Sequence, residues 1–314
     1  MPEVLSVLGD RWVLLALAIA VLLTIDLLVL RGRGGAMSTR TAVVASIAWF
    51  VISLMVFAVL FAAGDREAAS AYLAGYLVEK SLSLDNVFVF LLVFTAFGVP
   101  EAERHRLLTY GILGALVLRA VFIVAGAALL DAFGWVSFLF AAVLLWTAWR
   151  MFAHRHSSEE EGKLVDRLRH RLPISRAGAP GALTTREAGR SLLTASGAAL
   201  IAIMVVDVLF AVDSVPAILA ITDDTFIVFA ANAFALLGLR PLFFLVADLV
   251  DRLYYLKTAL AALLAFIGVK MVLGEVVGKI GPEISLPVIV AILATGALAS
   301  VIRERRLVGQ PAAS

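Results

Sequence analysis

Two short stretches place acids where the surrounding sequence is apolar: EKSLSLDNVFVF at 79–90 and DVLFAVDSVPAI at 207–218. Each holds two acids six residues apart, Glu79 and Asp85 in the first, Asp207 and Asp213 in the second. Asn86 follows Asp85, and Ser214 follows Asp213. Together with Asn232, these oxygen donors form a ligand set for a hard divalent cation such as Mn2+, Mg2+ or Ca2+. Zinc and copper favour His and Cys. The chain has no Cys, and its four His (His105, His154, His156 and His170) lie in or beside polar connecting segments. A carboxylate near the centre of a bilayer costs at least a few kcal/mol and marks an ion pathway or a paired functional site.

The cations in the apolar runs complete the charge count. Four acids stand against Lys80, Arg119 and Arg240, leaving a net of −1, or −2 when Asp26 is included. A divalent ion would offset that deficit, and Lys80 can hold an empty site neutral by pairing with an acid. The alternative is structural: interhelical ion pairs that fix packing, such as Asp85 with Arg119 and Asp213 with Arg240. Lys270, near the outer end of its span, is expected to reach back to the interface. Asp248 and Asp251 are expected to be interfacial.

Helix geometry limits which donors can meet. Residues seven apart nearly coincide around a helix, whereas residues six apart point about 120° away from each other. Glu79 therefore shares a face with Asn86, and Asp207 with Ser214. Asp85 and Asp213 join those faces only if the helix unwinds locally or if they flank the site from the side. Pro216 favours unwinding: it has no N–H, so the carbonyl of Val212 loses its helical partner and offers an oxygen beside Asp213.

The elements that must position these residues are transmembrane helices. The chain has 314 residues, 62% of them apolar and 16% charged, with a mean hydropathy of +1.01. The apolar residues fall in runs of roughly 20, the length that spans a bilayer. The expected fold is an all-α polytopic membrane protein of about nine spans: 12–30, 41–63, 68–98, 106–130, 135–153, 191–221, 224–249, 254–275 and 284–302. The first run is expected to be the first transmembrane helix rather than a signal peptide, because Glu3 and Asp10 spoil a positive leading segment, the run is too long and no small-residue cleavage site follows. Nineteen of the 26 Lys and Arg fall on one side of these spans and three on the other. The positive-inside rule then puts the N-terminus outside and the C-terminus in the cytoplasm. The basic excess, a formal net charge of +2, is thus a topology signal and calls for no nucleic-acid partner.

The chain divides into spans 1–2 (1–67), a three-helix unit (68–153), a polar segment (154–190), a second three-helix unit (191–275), and a last span with a basic tail (276–314). The two units match. VEKSLSLDNV aligns with VVDVLFAVDSV, LVLRAVFI with LLGLRPLFF, and AAVLLWTAWRM with AALLAFIGVKM. These pair Glu79 with Asp207, Asp85 with Asp213, Arg119 with Arg240 and Arg150 with Lys270. A repeated three-span unit is inverted in the membrane, and inverted repeats place cation sites at the midplane where they meet. The segment 154–190 carries the amphipathic piece EEEGKLVDRLRHRLP and the Gly/Pro-rich SRAGAPGA, and reads as a cytoplasmic linker or a partner's docking site. No Ser-His-Asp pattern, phosphate loop or dinucleotide turn marks an enzyme.

EKSLSLDNVFVF, DVLFAVDSVPAI and NAFALLGLR together resemble the TerC family, named for tellurium resistance, whose wider relatives include the lysine-exporter superfamily. The resemblance runs from span 1 to the RERR tail. It implies a multi-pass protein of the bacterial plasma membrane with links to tellurite resistance and manganese efflux. It also implies that Glu79, Asp85, Asn86, Asp207, Asp213 and Ser214 matter for transport, with Asn232 and Arg240 from the third motif, and it raises Mn2+ above Mg2+ and Ca2+. The expected function is export of a divalent metal by alternating access, driven by a proton or cation gradient since no ATP-binding motif is visible. The rivals are a non-transporting membrane scaffold for metal delivery or stress resistance, and an exporter of another small solute.

Overall fold

The computed structural model describes residues 2–31, 38–154, 159–175, 181–187, 189–246, 254–278 and 280–308. Asp248 and Asp251 lie outside them, as does the end of span 7. The helices are α1 (Pro2–Arg31), α2 (Thr39–Ala62), α3 (Arg66–Ala96), α4 (Glu101–Ala132), α5 (Val136–Ala153) and α6 (Glu159–Arg171). A two-stranded antiparallel hairpin follows, β1 (Thr184–Glu187) with β2 (Arg190–Leu193). Then come α7 (Ala195–Leu219), α8 (Thr225–Leu237), α9 (Leu239–Val246), α10 (Leu256–Val276) and α11 (Pro282–Val308).

The chain is a multi-pass membrane protein. Among the described residues seven segments are long and apolar enough to cross a bilayer, with α8 and α9 forming one of them. Of the nine expected spans, α3 falls short of that criterion because it carries Glu79, Lys80 and Asp85, and the side chains at both ends of α1 lie outside the described residues. Helix starts are set by side-chain caps: Asp65 accepts from Ala68 N at 2.9 Å, Thr194 from Gly197 N at 3.1 Å, and Asp224 from Phe226 N at 2.9 Å. These satisfy amide donors that a helix leaves unpaired in its first turn.

The centre of the bundle is α3 and α8. The α8–α9 segment is 83% buried, against 11% for α2, whose Val44, Met55 and Val59 face outward. Small residues allow this: Ala71, Ala74 and Gly75 on α3 and Ala230, Ala231 and Ala235 on α8 bring the backbones close. α3 packs on α8 and α4 on α7, while α5 and α10 pair with each other.

Two expectations need correcting. Helix α7 does not unwind at Pro216 but continues through it to Leu219. The proline sits three residues from the helix end, so its missing N–H removes one bond in the last turn, and Pro216 is itself buried. The interruption falls instead in span 7, at Gly238 between α8 and α9. There a Cβ would lie 2.6 Å from Lys80 Nζ and 3.1 Å from Trp49 Cβ, so the residue is held small by close approach.

The segment 154–190 is also more than a linker. Val165 of α6 is buried, and α6 packs on α3 and α7. Just before β1, Gly181 adopts φ +83, a left-handed conformation that suits glycine. Its N–H donates to Glu103 Oε1 at 3.0 Å and its carbonyl accepts from Arg106. Glu103 also accepts from Ser196, so one carboxylate joins the starts of α4 and α7 to the residue before the hairpin.

Candidate cation site

The spacing of six divides each motif between two environments. α3 and α7 are continuous helices, so Glu79 and Asp85 diverge around α3, as do Asp207 and Asp213 around α7. The seven candidate ligands therefore form two groups. Among the described residues no three acids or histidines cluster as a metal set.

The first group is sealed. Glu79, Asp207, Ser214 and Asn232 are all buried, and Arg119 of α4 stands among them with no exposed surface. Arg119 donates to Glu79, to Ser214 Oγ at 3.1 Å and to Asp207 Oδ1 at 3.4 Å. Asn232 Nδ2 donates to Glu79 Oε2 at 3.2 Å, and Ser83 Oγ reaches Glu79 at 3.5 Å. Two carboxylates against one guanidinium leave this cluster at −1. Asp207 Oδ2, Asn232 Oδ1 and Arg119 Nε are buried without a hydrogen-bond partner among the described residues. A buried ion pair of this kind is stable only while its members stay together, since removing one leaves an uncompensated charge.

The second group is open. Asp85, Asn86, Asp213 and Ser214 line a cavity of about 580 Å³ between α3, α5, α6, α7 and α10, and Val212 lines it beside Asp213. Asp213 accepts from Thr147 of α5 at 2.8 Å. Ser214 belongs to both groups: its hydroxyl accepts from Arg119, and the residue lines the cavity. Ser214 thus links the two matched pairs of acids.

The ion pairs differ from those expected. Arg119 bonds Glu79 and Asp207 rather than Asp85. Arg240 donates to Asp26 at 2.6 Å and to His105 Nδ1 at 3.0 Å rather than to Asp213. The reason is the break at Gly238: it starts a new helix at Leu239, and Arg240 faces the ends of α1 and α4. Lys80 donates to the Ala235 carbonyl at 3.3 Å, spanning the last turn of α8 instead of closing on an acid. Lys270 does not reach the surface. It is 5% exposed and lines a second cavity with Asp223 and Glu275.

Thr147 and His105 were not among the candidates. A lone threonine in an apolar helix ordinarily bonds its own preceding turn, so nothing in the sequence singles out Thr147. His105 reads as part of a polar connection and is placed by the start of α4.

The model of a family described as integral membrane protein TerC matches residues 64–307. An uncharacterized membrane protein of Myxococcus xanthus is 40% identical over 286 residues, covering 90% of this chain and 89% of that one. A putative membrane-bound redox modulator, Alx, of Escherichia coli K12 is 42% identical over 275 residues, covering 83% of this chain and 85% of its own. An uncharacterized membrane protein of Rickettsia felis is 33% identical over 298 residues, covering 94% and 99%. No solved structure matches the chain.

Proposed function

The chain belongs to the TerC family of integral membrane proteins, and on that premise we propose that it exports a divalent metal cation, Mn2+ ahead of Mg2+ and Ca2+, across the bacterial plasma membrane. The observation that carries this reading is the pairing of the motifs: Glu79 with Asp207 on one guanidinium, and Asp85 with Asp213 on one cavity. A cation inside the cavity finds hard oxygen donors in Asp85, Asn86 and Asp213. Ser214 then leads to Glu79 and Asp207, where Arg119 stands in for a cation while none is bound. A metal bound there displaces the guanidinium, and its return expels the metal. Proton exchange on the cavity carboxylates supplies the coupling.

The two three-helix units act as inverted repeats in this mechanism. Exchanging α3 with α7 and α4 with α8 turns the α3–α8 contact into the α7–α4 contact, and both are extensive. The name redox modulator carried by the Escherichia coli relative is compatible with metal export. This chain has no Cys, so a redox effect has to run through a metal or a partner.

The test is cellular. In manganese-sensitive cells wild type lowers the metal content measured by mass spectrometry, and Asp85→Asn and Asp213→Asn abolish the effect. Unchanged manganese with wild type, or full activity of both variants, ends the exporter reading. A second reading, a membrane scaffold, is favoured by the folded α6 and hairpin. Changing the exposed Asp166, Arg169 and His170 of α6 to Ala spares metal export on the first reading and abolishes function on the second.

A further inference from the structure

The open cavity has a second chemistry at its other end. Where α5 stops and α10 begins, its wall is basic: Arg150 from α5, Lys163 and Arg167 from α6, and Lys257 from α10. Among the described residues of the lining, four basic groups stand against the two carboxylates of Asp85 and Asp213, a surplus of two. That is the wrong sign to admit a metal cation unaided, and the right one for an anion.

The surroundings define the kind of anion. The flank of α5 beside the basic wall exposes Trp146, Trp149 and Phe152, and that of α7 exposes Leu209 and Val212. Arg150 lies over the Trp146 ring, 4.9 Å from its centroid. Indole rings with a guanidinium above an apolar wall are the composition of a membrane interface. α6, apolar on the face that carries Leu164 and Leu168 and basic at Lys163 and Arg167, lies across the same end. Lys and Arg counting assigns that end to the cytoplasmic leaflet, where anionic lipids concentrate and basic pockets between helices bind their headgroups.

We propose that this mouth is a binding site for one anionic phospholipid, its phosphate held by Arg150, Lys163, Arg167 and Lys257 and its chains lying along α5 and α7 outside the cavity. The site requires the membrane placement of the chain and not the transport reading. If transport also holds, the lipid cancels the surplus charge and opens the cavity to cations.

The experiment is native mass spectrometry of the full chain in mild detergent, titrated with phosphatidylglycerol or phosphatidylcholine. One phosphatidylglycerol binds roughly tenfold or more tightly than phosphatidylcholine, the scale expected when several basic groups each contribute near a membrane surface. Arg150→Gln and Arg167→Gln, both at exposed side chains, each reduce the preference, and the fourfold variant with Lys163→Gln and Lys257→Gln removes it. Changing Arg40 and Arg305 to Gln, basic groups of the same side away from the cavity, leaves it intact. Equal affinity for the two lipids, or a preference that survives Arg150→Gln and Arg167→Gln, overturns the proposal. So does displacement of the lipid by inorganic phosphate at matching concentration, which would make this a free-anion site. None of these readouts involves metal flux, so a failure here leaves the exporter reading standing.

Discussion

The cluster around Arg119 and the cavity around Asp213 are built from the same two motifs and behave oppositely. Glu79 and Asp207 share a guanidinium in a dry interior, whereas Asp85 and Asp213 are half-buried in a space that also reaches basic groups. Neither difference lies in residue type. It follows from the spacing of six, which turns the second acid of each motif about 120° away from the first. A spacing of seven would have put all four acids on one seam and demanded far more positive charge there. The motif thus separates a pair held by an internal guanidinium from a pair that reaches the cavity.

The sharpest contrast between the two is access. The chain has no Cys, so single cysteines can be placed without background. Asp213→Cys should be modified fully by a water-soluble thiol reagent, and Ser83→Cys, beside Glu79, should stay unmodified. Equal labelling would mean that the cluster is open to water and that the division described above is false. Stability should separate the regions next. Arg119→Leu leaves two buried carboxylates uncompensated and should cost about 3–5 kcal/mol in denaturant unfolding. Asp213→Asn keeps a hydrogen-bonding group in a partly wet site and should stay within about 1 kcal/mol of wild type. The smallest effect is expected at Thr147→Val, which removes a single bond to Asp213 and should cost about 1 kcal/mol. A larger loss there would show that Asp213 is fixed by its partner rather than poised to exchange it.

Much of the architecture was legible in the chain. Hydropathy located the seven described segments that are long and apolar enough to cross a bilayer, and the helical angle between Glu79 and Asp85 foretold that they could not share a face in an unbroken helix. The partners of the cations were not legible. Phase around α3 says which way Glu79 points, but not that α4 fills that direction with Arg119; that depends on how helices pack. Pro216 misled because a proline's cost depends on how many turns follow it, and here only the last one does. Gly238 gave no warning, since its role is to leave room for Lys80 and Trp49, which are distant in sequence. Lys270 sits near a span end, where a lysine ordinarily reaches the surface, and only the packing of α5 on α10 shows it enclosed.

The carboxylate of Glu103 has a mechanical consequence. By joining Gly181 and Ser196 while Arg106 grips the Gly181 carbonyl, it couples the first turn of α4 to the first turn of α7. Those helices belong to opposite halves of the sequence. Any rocking that opens one side of the bundle and closes the other must therefore carry α4 and α7 together as one lever. The moving boundary then runs between that pair and the α3–α8 pair, through the contact of Arg119 on α4 with Glu79 on α3, while the contact of Arg119 with Asp207 travels inside the lever.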